Sequence, residues 1–280
     1  GPDMLVVQSV KFLYIFRNRF WKGGEIIRES EVPFSETGYE HFRPQKMLHA
    51  QYSQLPATTD LSKPTWVAGD IENHFARTPG LDFYHTTPVV DSQRNTYLAT
   101  NSSRILIVRP DGNLRGYIDC GAMASNMCLH EGYLYVCNGA GYCVKVDIET
   151  TDIAWNKRYC DRCSKDSWSL TVCERAGLLL MAGVVFEEPD NPLDGCGFLF
   201  ALSLADGSTA WRRMCIAAAL DLTPSVSEER CVLLSSDSAG NIWCLRLSNG
   251  TTVWENQSSF GDDTEGSRTA AQVALGPDGV

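Results

Sequence analysis

Along much of this chain apolar residues come in runs of five or six, bounded by Gly, Asn and Asp, which is the pattern of a buried β-strand. Asn95 to Asn101, Gly132 to Asn138, Gly177 to Gly183 and Arg230 to Ser236 are four such runs. Thr87-Pro-Val-Val-Asp91 and Thr223-Pro-Ser-Val226 precede two of them as further strands. No stretch longer than twelve residues shows a 3.6-residue period with caps, so very little helix is expected. Three segments then superpose: Val144 to Trp155, Phe200 to Trp211 and Trp243 to Trp254. Each is an alternating apolar strand, a tight turn and a short strand ending in Trp. Ile105 to Gly116 keeps the strand and the turn but carries Gly where the others have Trp.

The repeat positions Gly116, Trp155, Trp211 and Trp254 are separated by 39, 56 and 43 residues. A period of about forty residues with four short strands per unit predicts the blades of a β-propeller. The long interval holds the insertion Phe186 to Gly195. Its acids do not follow the calcium-loop order, because Pro192 stands at the third ligand position and no Glu closes the loop at Ala201, so a solvated hairpin loop is expected. At the N-terminus, Met4 to Ser9, Lys11 to Phe16 and Phe20 to Ile27 read as second, third and fourth strands, with Trp21 near the repeat's Trp position. Thr269 to Leu275 reads as a first strand. Together these predict one blade shared by the two ends, which removes exposed sheet edges. The expected fold is an all-β propeller of four-stranded antiparallel blades, about five in number, in a single domain over 1–280. Gly1-Pro2 and the turn at Pro277-Asp-Gly279 read as cut ends.

Charge narrows the partners. With 24 Lys plus Arg against 34 Asp plus Glu the net charge is −10, the wrong sign for a protein that tracks phosphates, so no nucleic acid is expected. The most apolar stretch, Leu5 to Phe16, is broken by Gln8, Ser9 and Lys11 and is too short to span a bilayer. It has no small-residue cleavage site and does not read as a signal peptide. All eleven cysteines lie from Cys120 onward. Cys137, Cys143, Cys173, Cys231 and Cys244 sit within apparent strands and read as small buried hydrophobes. Cys160-Asp-Arg-Cys163 has metal or redox spacing without a second Cys or His pair, so no metal site is assigned. Sequons at Asn101, Asn249 and Asn256 do not establish secretion, since Asn249-Gly is also a turn signal. The compartment stays open, with a reducing, cytoplasmic interior favoured.

Leu204-Ala-Asp-Gly-Ser-Thr-Ala-Trp211 and Leu247-Ser-Asn-Gly-Thr-Thr-Val-Trp254, with Ile148 to Trp155 diverging at Thr151, resemble the repeat of the quinoprotein-like β-propeller family. The resemblance covers roughly residues 84 to 280, with Met4 to Ile27 joining it. It implies that Trp155, Trp211 and Trp254 dock on the neighbouring blade, burying the indole and giving its N–H a carbonyl. The family includes alcohol dehydrogenases that hold pyrroloquinoline quinone and calcium on the propeller axis, and non-catalytic scaffolds such as an outer-membrane assembly lipoprotein and stress-sensor luminal domains. Here no two cysteines are adjacent and no Glu, Asn and Asp set is assignable to calcium, so no cofactor is expected.

Residues 29–83 fit no blade and read as a non-repeating insertion or an irregular blade. They carry Pro33, Pro44, Pro56, Pro64 and Pro79, and with His85 just beyond they hold His41, His49 and His74. A stretch this long without a repeat tends to be functional, and its aromatics, among them Phe34, Tyr39, Trp66 and Phe75, argue against disorder. Short blade hairpins offer shallow faces, so the deepest binding surface is expected here, with Trp66, His74 and His85 as contacts. For Trp66 the competing expectation is burial in packing. No dinucleotide, Walker or nucleophile-elbow motif occurs, and no catalytic residue is assigned. The expected function is a non-catalytic protein-interaction or scaffold propeller with a protein partner. The alternatives are an enzyme of oxidoreductase or hydrolase type with its site at the axis, and a propeller module of a larger multidomain enzyme. Nothing in the sequence sets an oligomeric state.

Overall fold

The computed structural model describes residues 4–8, 12–17, 66–69, 88–160, 169–185, 196–214, 225–228, 230–236 and 241–257. They form nineteen strands in five antiparallel sheets, with no helix among the described residues. The N-terminal sheet has three strands in the order β1 (Met4–Gln8), β2 (Phe12–Arg17) and β3 (Trp66–Gly69). Sheet 1 is β4 (Val89–Val90), β5 (Thr96–Ala99), β6 (Arg104–Val108) and β7 (Leu114–Asp119). Sheet 2 is β8 (Ala124–His130), β9 (Tyr133–Asn138), β10 (Tyr142–Asp147) and β11 (Ile153–Arg158). Sheet 3 is β12 (Ser169–Cys173), β13 (Leu178–Val185), β14 (Cys196–Ser203) and β15 (Thr209–Met214). Sheet 4 is β16 (Ser225–Ser227), β17 (Val232–Ser236), β18 (Asn241–Arg246) and β19 (Thr252–Gln257). In every sheet the strands follow chain order, so each is a simple up-and-down meander.

The cores lie between sheets. Val89, Tyr97, Ile105 and Ile107 of sheet 1 pack with Met127, Leu129, Val136 and Val144 of sheet 2. The other face of sheet 2, through Cys128, Tyr135, Cys137 and Cys143, packs on Leu170, Leu179, Met181 and Phe198 of sheet 3. Sheet 3 in turn presents Cys173, Leu180, Leu199 and Ala201 to Leu233, Trp243 and Leu245 of sheet 4. Middle strands are thus apolar on both faces, which is why their sequence reads as continuous apolar runs. The first strands of successive sheets lie beside one another, β4 against β8 and β8 against β12. The fourth strands β7, β11, β15 and β19 are largely exposed. Arg and Lys on them, such as Lys157, Arg158, Arg212 and Arg213, blunt these open edges against pairing with another chain.

The strands read from the apolar runs coincide with β5, β9, β13 and β17 to within a residue or two. Two expectations change. Phe20 to Ile27, with Trp21, lies outside the described residues, and the place beside β2 is taken by β3, from inside the 29–83 segment. Cys231 is exposed rather than buried, because it closes the turn before β17 with φ 52°, where the equivalent turns of sheets 2 and 3 have Gly132 and Gly177. Cys137, Cys143, Cys173 and Cys244 are buried as expected. Thr269 to Leu275 and the insertion Phe186 to Gly195 lie outside the described residues.

Candidate functional site

The most developed local apparatus of the described blades is the contact between the fourth strand of one sheet and the last turn of the next. Trp155 is the buried residue of an otherwise exposed strand, β11, and sits opposite Lys145 of β10. Its ring lies on the 204–208 turn of sheet 3, where a Cβ on Gly207 would come within 2.9 Å of Trp155 Cε3. Its Nε1 donates to the Leu204 carbonyl at 3.5 Å. Trp211 repeats the arrangement on sheet 4: a Cβ on Gly250 would lie 2.5 Å from Trp211 Cε3, and Nε1 donates to the Leu247 carbonyl at 2.8 Å. Both glycines have positive φ, 69° and 68°, so each is required twice, by the turn and by the ring above it. Trp254, expected to dock likewise, is 46% exposed.

Side-chain acceptors hold the seat turns in shape. Asp206 Oδ1 accepts from the Ser208 N–H and hydroxyl, and these bonds hold its carboxyl at about 2, below the ordinary 3.8. Asn249 Oδ1 accepts from the N–H and hydroxyl of Thr251, the backbone reason for Asn in that sequon. Tyr159 donates its hydroxyl to the Gly207 carbonyl, and burial pushes that phenol well above its usual range. Lys145 lies 4.1 Å from the centre of the Tyr133 ring and donates to the Leu204 carbonyl at 2.8 Å, while partial burial lowers its ammonium pKa. Arg213 extends between Thr252 and Glu255 of sheet 4.

These turns share a face with the turns between first and second strands. The N–H groups of Ile148, Leu204 and Leu247 donate to the carbonyls of Gly132, Gly177 and Cys231 at 3.1, 3.0 and 2.9 Å. On this face His130, buried at the end of β8, stands 3.7 Å from Glu131 and 3.7 Å from Glu174 of sheet 3, and the Arg175 N–H donates to Glu228 of sheet 4. The same acidic position thus links sheet 2 to 3 and sheet 3 to 4. Sequence reading passed over His130; its signal was a His-Glu-Gly turn closing an apolar strand.

Of the predicted contacts, Trp66 opens β3 opposite Ile15, while His74 and His85 lie outside the described residues. Among the described residues no three His, Cys, Asp or Glu are grouped to hold a metal ion. Among the described residues no helix is long and apolar enough to cross a membrane.

No family model matches the sequence, and no curated protein matches it. Its structure superposes on that of a quinohemoprotein alcohol dehydrogenase from Pseudomonas putida HK5 with a TM-score of 0.50 at 16% identity, over 63% of this chain and 34% of that one. For the quinohemoprotein alcohol dehydrogenase from Comamonas testosteroni the TM-score is 0.52 at 10% identity, over 61% and 40%. The chain is a β-propeller. It spans about a third to two fifths of those dehydrogenases, and at such identity the likeness carries the fold alone. A third structure, BBS1N in complex with ARL6DN, matches 92% of this chain and 65% of its own length with a TM-score of 0.54 at 13% identity.

Proposed function

We propose that this propeller module binds a protein partner, and that the partner meets the non-repeating segment that begins after β2. One observation carries the reading. In sheets 1 to 4 the third and fourth strands are joined by five-residue turns, 109–113, 148–152, 204–208 and 247–251, whereas β2 and β3 are joined by the 48 residues 18–65. A segment nearly ten times longer than its counterparts, rich in Phe, Tyr and His, is the kind of addition through which a repeat scaffold acquires a specific surface. His74 and His85 follow β3 and belong to the same proposed surface. BBS1N, of similar fold, was solved in complex with ARL6DN, which supports a protein as the class of partner.

The test is affinity capture with the full chain and its His74→Ala and His85→Ala variants, with melting temperature measured in parallel. Variants that keep their melting temperature but lose the enriched partner support the proposal. Variants that melt earlier with capture unchanged overturn it, as would a saturable rise in melting temperature on adding pyrroloquinoline quinone with calcium, which favours the enzyme reading.

A further inference from the structure

We infer that the outer seam between sheets 2 and 3 is a docking surface, and that it takes an extended acidic segment of a partner protein, with a carboxylate of that segment between Lys157 and Arg212. The surface is separate from the non-repeating segment, and the inference stands whatever that segment binds.

Side chains of directly paired residues lie on one face of a sheet, so register fixes which way each rim residue points. Lys157 pairs with Cys143, which is buried in the core between sheets 2 and 3. Arg212 pairs with Phe200, which belongs to the same core. Lys157 on β11 and Arg212 on β15 thus flank one seam from its two sides, and both are exposed. Met214, two positions beyond Arg212, pairs with Phe198 of that core and is 56% exposed.

The neighbouring seams show what this one lacks. Between sheets 3 and 4 the corresponding positions are Arg213, two residues after Trp211, and Glu255, one residue after Trp254. There cation and acid meet: Arg213 Nη2 lies 3.6 Å from Glu255 Oε2, and Arg213 Nη1 donates to Thr252 Oγ1 at 2.6 Å. Between sheets 1 and 2 the same positions are Ile118 and Asn156, and neither is charged. Between sheets 2 and 3 the cation is kept as Lys157, two residues after Trp155, but Arg212 stands where the acid would be. Two like charges therefore flank a place that a carboxylate fills one sheet further on. Among the described residues neither cation has an ion pair or a side-chain hydrogen bond. Asp206 feels the Lys157 charge as the weakest of the influences that lower its carboxyl, and its oxygens accept from Ser208 and Ser203.

The chemistry of the seam selects the occupant. β11 and β15 carry Lys157, Arg158, Arg212 and Arg213 and no acid, on a chain whose net charge is −10. A nucleic acid or an anionic membrane needs many cations and is repelled by the rest of such a chain, whereas a single carboxylate is matched by two. Met214 adds an apolar contact beside them. Alternate residues of an extended chain are about 7 Å apart, so Arg212 and Met214 fit a segment with an acid and an apolar residue two positions apart. The contact is made by side chains across the seam and leaves the guarded strand edges unpaired.

The test is fluorescence anisotropy with the full chain and a labelled peptide carrying one Glu-Ser-Leu core in a Gly-Ser background, beside its Gln-Ser-Leu counterpart. The Glu peptide should bind about tenfold more tightly than the Gln peptide, and Arg212→Glu, which supplies an internal carboxylate, should abolish the difference. Met214→Ser should weaken both peptides. Arg158→Glu makes the same change of net charge on the sheet 1 side of β11, where its partner Tyr142 packs, and should leave binding unchanged. Thermal unfolding gives a readout without peptide: Arg212→Glu should melt higher than Arg212→Gln, because it can form the pair seen between Arg213 and Glu255. Equal or absent binding of the two peptides, equal loss in Arg158→Glu and Arg212→Glu, or tighter binding of single-stranded oligothymidine or phosphatidylserine vesicles overturns the inference. So does self-association of the chain that Arg212→Glu abolishes, since the occupant would then be a second copy.

Discussion

The two tryptophans Trp211 and Trp254 occupy the same position of the same repeat, yet one is 8% and the other 46% exposed. Trp211→Ala removes an indole that lies on the Gly250 backbone and leaves the Leu247 carbonyl without the donor it meets at 2.8 Å. Nothing can slide into the gap, since the seat is main chain. The lost transfer energy and the unfilled space together should cost about 3–5 kcal/mol, of which the hydrogen bond accounts for about 1 kcal/mol. Trp254→Ala, half in water already, should cost only about 1–1.5 kcal/mol. For a chain of this size the first corresponds to a fall in melting temperature of roughly 6–20 °C and the second to a few degrees. Urea and thermal unfolding of the two variants beside the parent read the difference directly. Equal losses in both would refute the docking argument, since repeat membership and not the seat would then set the cost. Trp155→Ala is expected near Trp211→Ala but lower, because its indole N–H lies 3.5 Å from Leu204.

Gly250→Ala should destabilise by about 2–3 kcal/mol, combining left-handed strain with a methyl driven into Trp211, whereas Gly121→Ala, at φ 78° with nothing near its Cβ, should show only the strain of about 1–2 kcal/mol; denaturant midpoints compare them. Asp206, depressed by the Ser208 bonds, stabilises the fold fully above its ordinary pKa of 3.8, and that contribution disappears as the pH falls toward 2. The stability profile of Asp206→Asn should therefore be flatter than the parent's between about pH 4 and 2, and parallel profiles would count against the seat-turn geometry.

Much of the architecture was legible because its cause is local. Apolar runs between Gly, Asn and Asp specify middle strands buried on both faces, and the Asp206-Gly207 and Asn249-Gly250 turns specify the hairpins. Cys231 misled because it has the chemistry of a core residue at a turn position that Gly fills in sheets 2 and 3. β3 was missed for a different reason. Trp-Val-Ala-Gly is four residues long, follows Pro64, and pairs with a strand 48 residues upstream, so neither periodicity nor turn chemistry announces it. Trp66 consequently stood out only as an aromatic in a non-repeating segment, whereas its backbone pairs with Ile15 of β2. His74 and His85 carry no periodic context at all, and burial between sheets, which gives His130 its two acidic neighbours, is invisible along the chain.

Two departures from the repeat that looked independent in the sequence are one departure in space. Gly116 replaces the docking tryptophan of sheet 1, and Thr151 replaces the glycine of the seat on sheet 2 that it would have used. With no ring above it the seat is free to carry a side chain, and the sheets are held instead by their apolar core and by Arg115 donating to the Glu149 carbonyl at 3.2 Å. Restoring both partners should therefore restore the contact. Thr151→Gly alone relieves a β-branched residue of left-handed strain, a gain of about 1 kcal/mol. Gly116→Trp alone meets open space at its own Cβ but finds Thr151 on the seat, so little gain is expected. In the double variant the indole can lie on residue 151 and donate to the Ile148 carbonyl, which stands where Leu204 and Leu247 stand in sheets 3 and 4. The two substitutions should then stabilise by about 1–2 kcal/mol more than the sum of the singles, a coupling within the range for contacting residues. A double-mutant cycle by urea unfolding measures it. Strict additivity would show that seat and tryptophan are not a unit.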